Sequence, residues 1–192
     1  MELIAFVSGY NADSKKLICF NWNGKHSSDF EDYNQSFRRT ILNYIFEIDP
    51  TDIPMELLRD LFLAEAFWAR EAWCVYQNFY VIGEKLIRYG GIPYIDDFLE
   101  GAFTSFDTYC SSRMMELFDY DFSHLINELK TRKKKAKDSE SRQRYKNAIE
   151  LFKTYMKGNP KEGIISLTGS VEVKDVKEIK HNLFFRLLNR FK

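Results

Sequence analysis

Apolar residues recur at intervals of three and four along most of this chain, the spacing that places them on one face of an α-helix. The densest apolar run extends over residues 52–91. Asp52 is a suitable N-cap and Pro54 fits the first helical turn, while Gly90 and Pro93 are typical of a helix end. The polar residues in between form one narrow stripe, so we expect a long central helix that other helices surround.

Two alternatives concern this central helix. Gly83 is a candidate kink that would divide it into two shorter helices. A transmembrane span is disfavoured, because Glu65, Arg70 and Glu71 would lie in hydrocarbon at a cost of several kcal/mol each. We therefore expect no contact with membranes, and we expect the aromatic rings of the helix and the thiol of Cys74 to belong to the core.

The remaining pattern predicts further helices and a small sheet. Short apolar runs and alternating residues near both termini are typical of strands, and we expect them to pair because an isolated hairpin is marginally stable. The predicted fold is mainly α, an irregular helical bundle around a long central helix, with a small β-sheet from the N- and C-terminal segments and one domain over residues 1–192. The further predicted helices cover residues 29–48, 94–118, a segment from 121, 145–156 and 183–191, and the predicted strands cover 3–7, 17–22 and 164–177.

Cysteine and histidine usage argues against a metal site or a disulfide framework. Cys19, Cys74 and Cys110 are far apart and form no CxxC pair, which is typical of a reduced protein. The N-terminus lacks the basic segment of a signal peptide, so we expect a cytoplasmic location. The histidines lie in separate segments, outside any metal-binding motif. We predict no metal, no cofactor and no catalytic residue.

The formal net charge of the chain is zero, yet the charges are distributed very unevenly. Residues 29–121 contain 18 acidic and 7 basic residues, a net charge of −11. Residues 122–192 contain 8 acidic and 18 basic residues, a net charge of +10. Charge separation of this size steers partners and raises association rates, although part of it is neutralised internally if the two halves pack together.

This profile favours a small cytosolic protein that binds and inhibits a charged protein partner. A bacterial immunity protein, which neutralises a toxin such as a nuclease by binding it, has the same profile: small, without a catalytic motif, and rich in acids and aromatic anchors. The comparison rests on profile alone, since no motif of this chain points to a family. The partner would be a basic toxin domain, and the predicted contact residues are Asp96, Asp97, Glu100, Asp107, Tyr94 and Phe98.

The first alternative is a nucleic-acid-binding or regulatory helical protein that uses the basic segment 130–146. This segment is the strongest local charge signal of the chain, but no aromatic residue is interleaved with it before Tyr145. A solvated helix face is therefore the simpler interpretation. The candidate phosphate contacts are Lys130, Arg132, Lys133, Lys134, Lys135 and Lys137.

The second alternative is a helical enzyme with a carboxylate site between helices. Glu65, Arg70 and Glu71 lie in the most apolar stretch, where perturbed carboxylates often mark function. The acids between Asp96 and Asp107 are a second candidate, because paired carboxylates can perform acid–base chemistry. In both places an ion pair or a solvated surface is the simpler interpretation.

Overall fold

The computed structural model describes residues 3–157, and this part of the chain is helical and contains no β-strand. The mainly α prediction is confirmed, although the helices are shorter and more numerous than the pattern indicated. None of the helices between residues 3 and 157 combines the length and the apolar character that a membrane span requires. The α-helices are α1 Leu3–Ser8, α2 Gln35–Glu47, α3 Met55–Ala72, α4 Phe79–Lys85, α5 Ile95–Ala102, α6 Phe106–Ser112, α7 Ser123–Lys135 and α8 Ser139–Lys157.

Helix α3 has the central position that the sequence predicted, and it packs against α4, α5 and α6. The prediction of one helix over residues 52–91 is wrong. Helix α3 ends at Ala72 because Trp73 takes the left-handed conformation, with φ 55° and ψ 36°, which normally favours glycine at a helix end. The chain turns through residues 73–78 and resumes as α4, which continues into the π-helical turn Leu86–Gly90.

Gly83 is not the point of interruption. It lies inside α4 and is buried, and a Cβ at this position would be 3.1 Å from the ring of Phe62 on α3. Gly83 therefore allows close packing of α4 on α3, and the helix break at Trp73 does not depend on this glycine.

The predicted N-terminal hairpin is wrong, because its first segment, residues 3–7, lies in helix α1. The adjacent residues Phe6 and Val7 are both buried, whereas neighbouring residues of a strand point to opposite faces. Phe6 packs edge-on against Phe37 of α2, with ring centroids 5.1 Å apart. Packing on α2 thus favours a helical turn over a strand.

The small sheet is not present among residues 3–157. A 3₁₀ turn occupies Ser14–Leu17, and the extended structure of this range is limited to one isolated antiparallel bridge between Trp22 and Asp32. The predicted C-terminal strands over 164–177 and the helix over 183–191 lie outside the described residues.

Helix α2 begins at Gln35, later than the predicted start at residue 29. The residues around the predicted start form a separate 3₁₀ turn, Ser27–Asp29. The apolar face of α2 is nevertheless buried as predicted, with Ile41, Leu42 and Ile45 fully inside the core.

The predicted helix over residues 94–118 is two helices, α5 and α6. Ser105 begins α6 with a capping box: its hydroxyl accepts from the amide of Thr108 at 3.2 Å, and the Thr108 hydroxyl accepts from the Ser105 amide at 2.9 Å. Gly101 brings α5 close to α3, because a Cβ there would overlap the ring of Phe62. Helix α5 ends at Ala102, and the capping box at Ser105 starts the new helix α6.

A column of phenylalanine rings connects the helices of the core. Neighbouring ring centroids are 4.6 Å apart for Phe79 and Phe62, 5.6 Å for Phe62 and Phe98, 5.9 Å for Phe98 and Phe152, and 5.1 Å for Phe152 and Phe122. Helices α7 and α8 pack against each other as a helical hairpin, so the column ties this hairpin to α3, α4 and α5.

Candidate functional site

Three acids at the start of α5 lie close together at the surface. The pKa of Asp97 is raised, first because its carboxyl is partly buried, and then because Glu100, Asp60 and Asp96 add negative charge while Arg59 opposes them. Asp97 and Glu100 make no ion pair with any described residue. The structure thus brings Asp96, Asp97 and Glu100 together, as predicted from their spacing.

Arg132 connects two predicted sites, the acidic contact surface for a protein partner and the basic segment for phosphate. Its Nη1 donates to Asp96 Oδ2 at 2.5 Å, and its Nε donates to Glu128 Oε1 at 2.7 Å. Its Nη2 approaches the carbonyl of Ile92 at 3.4 Å. Asp96 was a candidate for the protein partner and Arg132 for phosphate, so one acid and one base of the two predicted surfaces neutralise each other inside the chain.

The other predicted contact residues are dispersed. Tyr94 is partly buried, and its hydroxyl donates to Glu56 Oε1 at 2.9 Å. Phe98 is fully buried in the phenylalanine column, so its predicted role as a surface anchor is wrong. Asp107 lies on α6, where its charge reaches the thiol of Cys74.

The basic segment forms the exposed end of α7 and the loop behind it. Apart from Arg132, these side chains form no ion pair with the described part of the chain. Lys130, Lys134, Lys135 and Lys137 are exposed, and Lys133 is partly exposed. The lysine charges therefore remain available to an anion.

The residues around Glu65 form a buried ion-pair network. Glu65 Oε1 accepts from Arg38 Nε at 2.7 Å, and Asp32 Oδ2 accepts from Arg38 Nη2 at 2.7 Å, with all three side chains fully buried. Arg70 and Glu71 pair with each other at 2.7 Å nearer the surface. The three residues of the predicted carboxylate site thus point to different partners and do not converge.

Glu100 also lines an open groove between α5 and α8, with a volume of about 730 Å³. Across from it stand polar side chains of α8, including Glu140 and Gln143. This groove offers room and charge, and Phe103 is its one aromatic lining residue.

A cleft at the C-terminal end of α3 was missed by the sequence analysis. It has a volume of about 300 Å³. Trp73 stands at its edge with 82% of its surface exposed, whereas the pattern had placed this ring in the core. Cys74 is exposed as well, which corrects its predicted burial. The lining residues are His26, Ser27, Phe30, Trp68, Glu71, Ala72, Trp73 and Cys74.

Among residues 3–157, the two non-glycine residues with positive φ both line this cleft. The φ angle is 60° at Ser27 and 55° at Trp73. A left-handed backbone costs an L-residue about 1–2 kcal/mol, and such strain tends to collect at ligand clamps and other functional sites. The cleft is therefore our candidate functional site.

Four of the eight residues that line the cleft carry aromatic rings. The ring centroids of Phe30 and Trp68 are 6.4 Å apart, and those of His26 and Trp73 are 6.3 Å apart. The cleft had no signal in the sequence, because no glycine or proline between residues 55 and 82 marks the end of α3. Without that break, Trp73 continues the apolar pattern of a buried helix.

Comparisons with known proteins add no assignment to this geometry. Among the described residues, no group of three or more His, Cys, Asp or Glu side chains is placed to hold a metal ion. No protein-family model, no curated protein and no solved structure matches the chain.

Proposed function

We propose that this chain is a protein-binding inhibitor that acts by occupying its partner, in the manner of a bacterial immunity protein that neutralises a toxin. Its anchor site is the cleft at the end of α3. The observation that carries the proposal is Trp73, a large ring that is 82% exposed on a left-handed backbone, in a cleft that Ser27, with its positive φ, also lines.

The energetics of an exposed tryptophan support this function. Tryptophan is enriched among the residues that dominate protein–protein affinity. A ring that becomes buried removes about 150–250 Å² from water, which corresponds to roughly 4–6 kcal/mol before the cost of association is subtracted. Because the backbone of Trp73 is fixed at the end of α3, little further order has to be imposed on it when a partner binds.

The charge distribution supports a basic partner. Six of the eight residues that line the cleft belong to the segment 29–121, which carries the net charge of −11. Asp97 and Glu100 on α5 form no ion pair with the described residues, so their charges remain effective at long range. A field of this kind accelerates the encounter with a basic domain and weakens with salt, since the screening length is about 8 Å at physiological ionic strength.

Replacement of Trp73 by glycine separates binding from folding. The Trp73→Gly variant loses the anchor ring but gains the residue that best tolerates positive φ, so its unfolding free energy should be unchanged or higher by up to about 1 kcal/mol. Affinity capture with the tagged chain as bait should recover a stoichiometric protein partner with wild type, and with Trp73→Gly the yield should fall at least tenfold.

Phe118→Ala is the matched control, because Phe118 is also an exposed ring, at 53%, and lies outside the cleft. It should retain the partner. Equal recovery by Trp73→Gly and wild type contradicts the proposal. Loss of recovery in both variants shows that the partner recognises general apolar surface and not the cleft.

Nucleic-acid binding through α7 is the second candidate function. The observation that favours it is the set of lysines between residues 130 and 137 that lack ion-pair partners among residues 3–157. If they contact phosphates, the logarithm of the binding constant for single-stranded RNA falls linearly with the logarithm of the salt concentration, and the double variant Lys133→Gln, Lys134→Gln lowers the steepness of that slope by about 1–2 units. Lys153→Gln, whose lysine already pairs with Glu150 at 3.0 Å, should leave the slope unchanged. A slope that stays the same in the double variant rules these lysines out.

A further inference from the structure

We infer that the cleft at the end of α3 receives an arginine side chain presented by the protein partner. This inference rests on the proposed function and adds the chemistry of the group that enters. Its two supports are the aromatic wall and a carboxylate oxygen that is not yet used.

The aromatic wall already binds a guanidinium from its own chain. The Cζ atom of Arg39 lies 4.3 Å from the ring centroid of Trp68 and 5.0 Å from that of Tyr76. A cation over an aromatic face is attracted by the ring quadrupole, most strongly at tryptophan. Arg39 covers Trp68, whereas Trp73 is 82% exposed, with the ring centroid of His26 6.3 Å from its own. The faces of Trp73 are therefore open to a second cation.

Glu71 supplies the negative charge. Its Oε1 accepts from Arg70 Nε at 2.7 Å, but no described residue donates to its Oε2. The side chain is 17% exposed, so a cation that meets it inside the cleft is partly shielded from water, where charge-assisted hydrogen bonds are stronger.

A second acid adds to the field at the cleft. Cys74 is exposed as a residue, but partial burial of its thiol is the main reason for the raised pKa of that thiol; the positive charge of Arg39 opposes the shift, and the negative charges of Asp107 and Glu65 add to it. The negative charge of Asp107 is thus felt inside the cleft. The unused oxygen of Glu71 and the exposed ring of Trp73 together favour a planar cation, which stacks on a ring and donates to a carboxylate at the same time.

The size of the cleft agrees with a single side chain. A volume of about 300 Å³ lies at the lower end of ligand pockets. It is suited to one side chain of a folded partner, and the net charge of −11 over residues 29–121 attracts a partner whose surface is basic.

The test uses small probes whose shape is similar and whose charge differs. N-acetyl-arginine amide is titrated into the full chain, and binding is followed by the backbone amide shifts of residues 26–30 and 71–74. N-acetyl-citrulline amide, which keeps the planar shape without the charge, should bind at least about fivefold more weakly. N-acetyl-norleucine amide, which is apolar, should also bind at least fivefold more weakly.

Two matched variants identify the carboxylate. Glu71→Gln removes the charge from the cleft and should weaken binding of the arginine probe about fivefold. Glu140→Gln removes an acid from the other groove and should leave binding unchanged. Trp73→Gly should abolish the cleft shifts while the remaining spectrum stays that of the folded protein.

The inference is overturned if the arginine and citrulline probes bind equally, if the shifts occur away from the cleft, or if no probe produces shifts. It is also overturned if Glu71→Gln captures the protein partner as well as wild type while Trp73→Gly does not. In that last case the proposed function stands and only the arginine is excluded. If Trp73→Gly also keeps the partner, the proposed function itself fails.

Discussion

Two arginines of this protein each lie between two carboxylates, and they differ mainly in burial. Arg38 of α2 joins Asp32 and Glu65 at 2.7 Å each, with every side chain fully buried. Arg132 of α7 joins Asp96 at 2.5 Å and Glu128 at 2.7 Å, with its own side chain 24% exposed and that of Asp96 46% exposed. The donor–acceptor geometry is similar, but the surroundings are not.

The contribution of each ion pair to stability depends on how deeply it is buried. A buried charge that has lost its partner is very costly, so removal of any one member of the Arg38 network should strongly destabilise the fold. Around Arg132, water can replace a lost partner, and exposed pairs contribute about 0–1 kcal/mol. The degree of burial therefore determines whether an ion pair is required for the stability of the fold or contributes little to it.

Arg38→Met is expected to have the largest effect. It leaves the carboxylates of Asp32 and Glu65 buried without their common partner and should lower the unfolding free energy by about 3–5 kcal/mol. Urea unfolding, followed by far-ultraviolet circular dichroism, measures this. A loss below about 1 kcal/mol would mean that the two carboxylates accept protons or water at little cost, and the contrast with Arg132 would disappear.

Arg132→Met is the matched surface substitution. It removes the same guanidinium from Asp96 and Glu128 and should cost about 1 kcal/mol or less. The cost should shrink further at high salt, because exposed charges are screened. A cost equal to that of Arg38→Met, with no dependence on salt, would contradict the comparison.

Asp97→Asn should have the smallest effect, and its sign depends on pH. Burial and the charges of Glu100, Asp60 and Asp96 raise the pKa of Asp97, while Arg59 opposes the shift. A carboxyl whose pKa is higher in the folded state contributes stability below its unfolded pKa of about 3.9 and loses that contribution as pH rises through the folded value.

Relative to wild type, Asp97→Asn should therefore become more stable between about pH 4 and pH 7, by at most about 0.5 kcal/mol because the site is partly exposed. Below about pH 3.5, where both forms are neutral, the gain should vanish. Paired unfolding experiments at pH 3 and pH 7 measure it. A variant less stable than wild type at pH 7 would show that Arg59 and not burial controls this carboxyl.

The central helix could be predicted because its evidence is local. Apolar spacing of three and four residues marked α3 and the buried faces of α2, α5, α7 and α8. The end of α3 could not be predicted, since Trp73 takes the left-handed conformation at a position where the sequence offers no glycine. The N-terminal segment was misassigned because short apolar runs do not distinguish a strand from a helical turn.

The sites were harder to predict than the fold, because they depend on contacts between distant segments. Asp96, Asp97 and Glu100 were grouped correctly, as they lie within one turn. The pairing of Asp96 with Arg132 spans 36 residues, and the pairing of Arg38 with Glu65 spans 27, and neither has a local pattern. The cleft could not be predicted for the same reason, because it is formed by a loop and a helix end that are distant in sequence.

The tryptophans of this chain are Trp22, Trp68 and Trp73, and all of them lie in or beside the cleft, with the ring of Trp22 4.7 Å from that of His26. Intrinsic tryptophan emission is therefore an optical report on one region of the molecule. Emission from the exposed ring of Trp73 should shift to shorter wavelength when a partner covers it. During unfolding, emission follows the end of α3 while circular dichroism follows all the helices, so coincidence of the two transitions is a direct test of whether the cleft melts together with the α7–α8 hairpin.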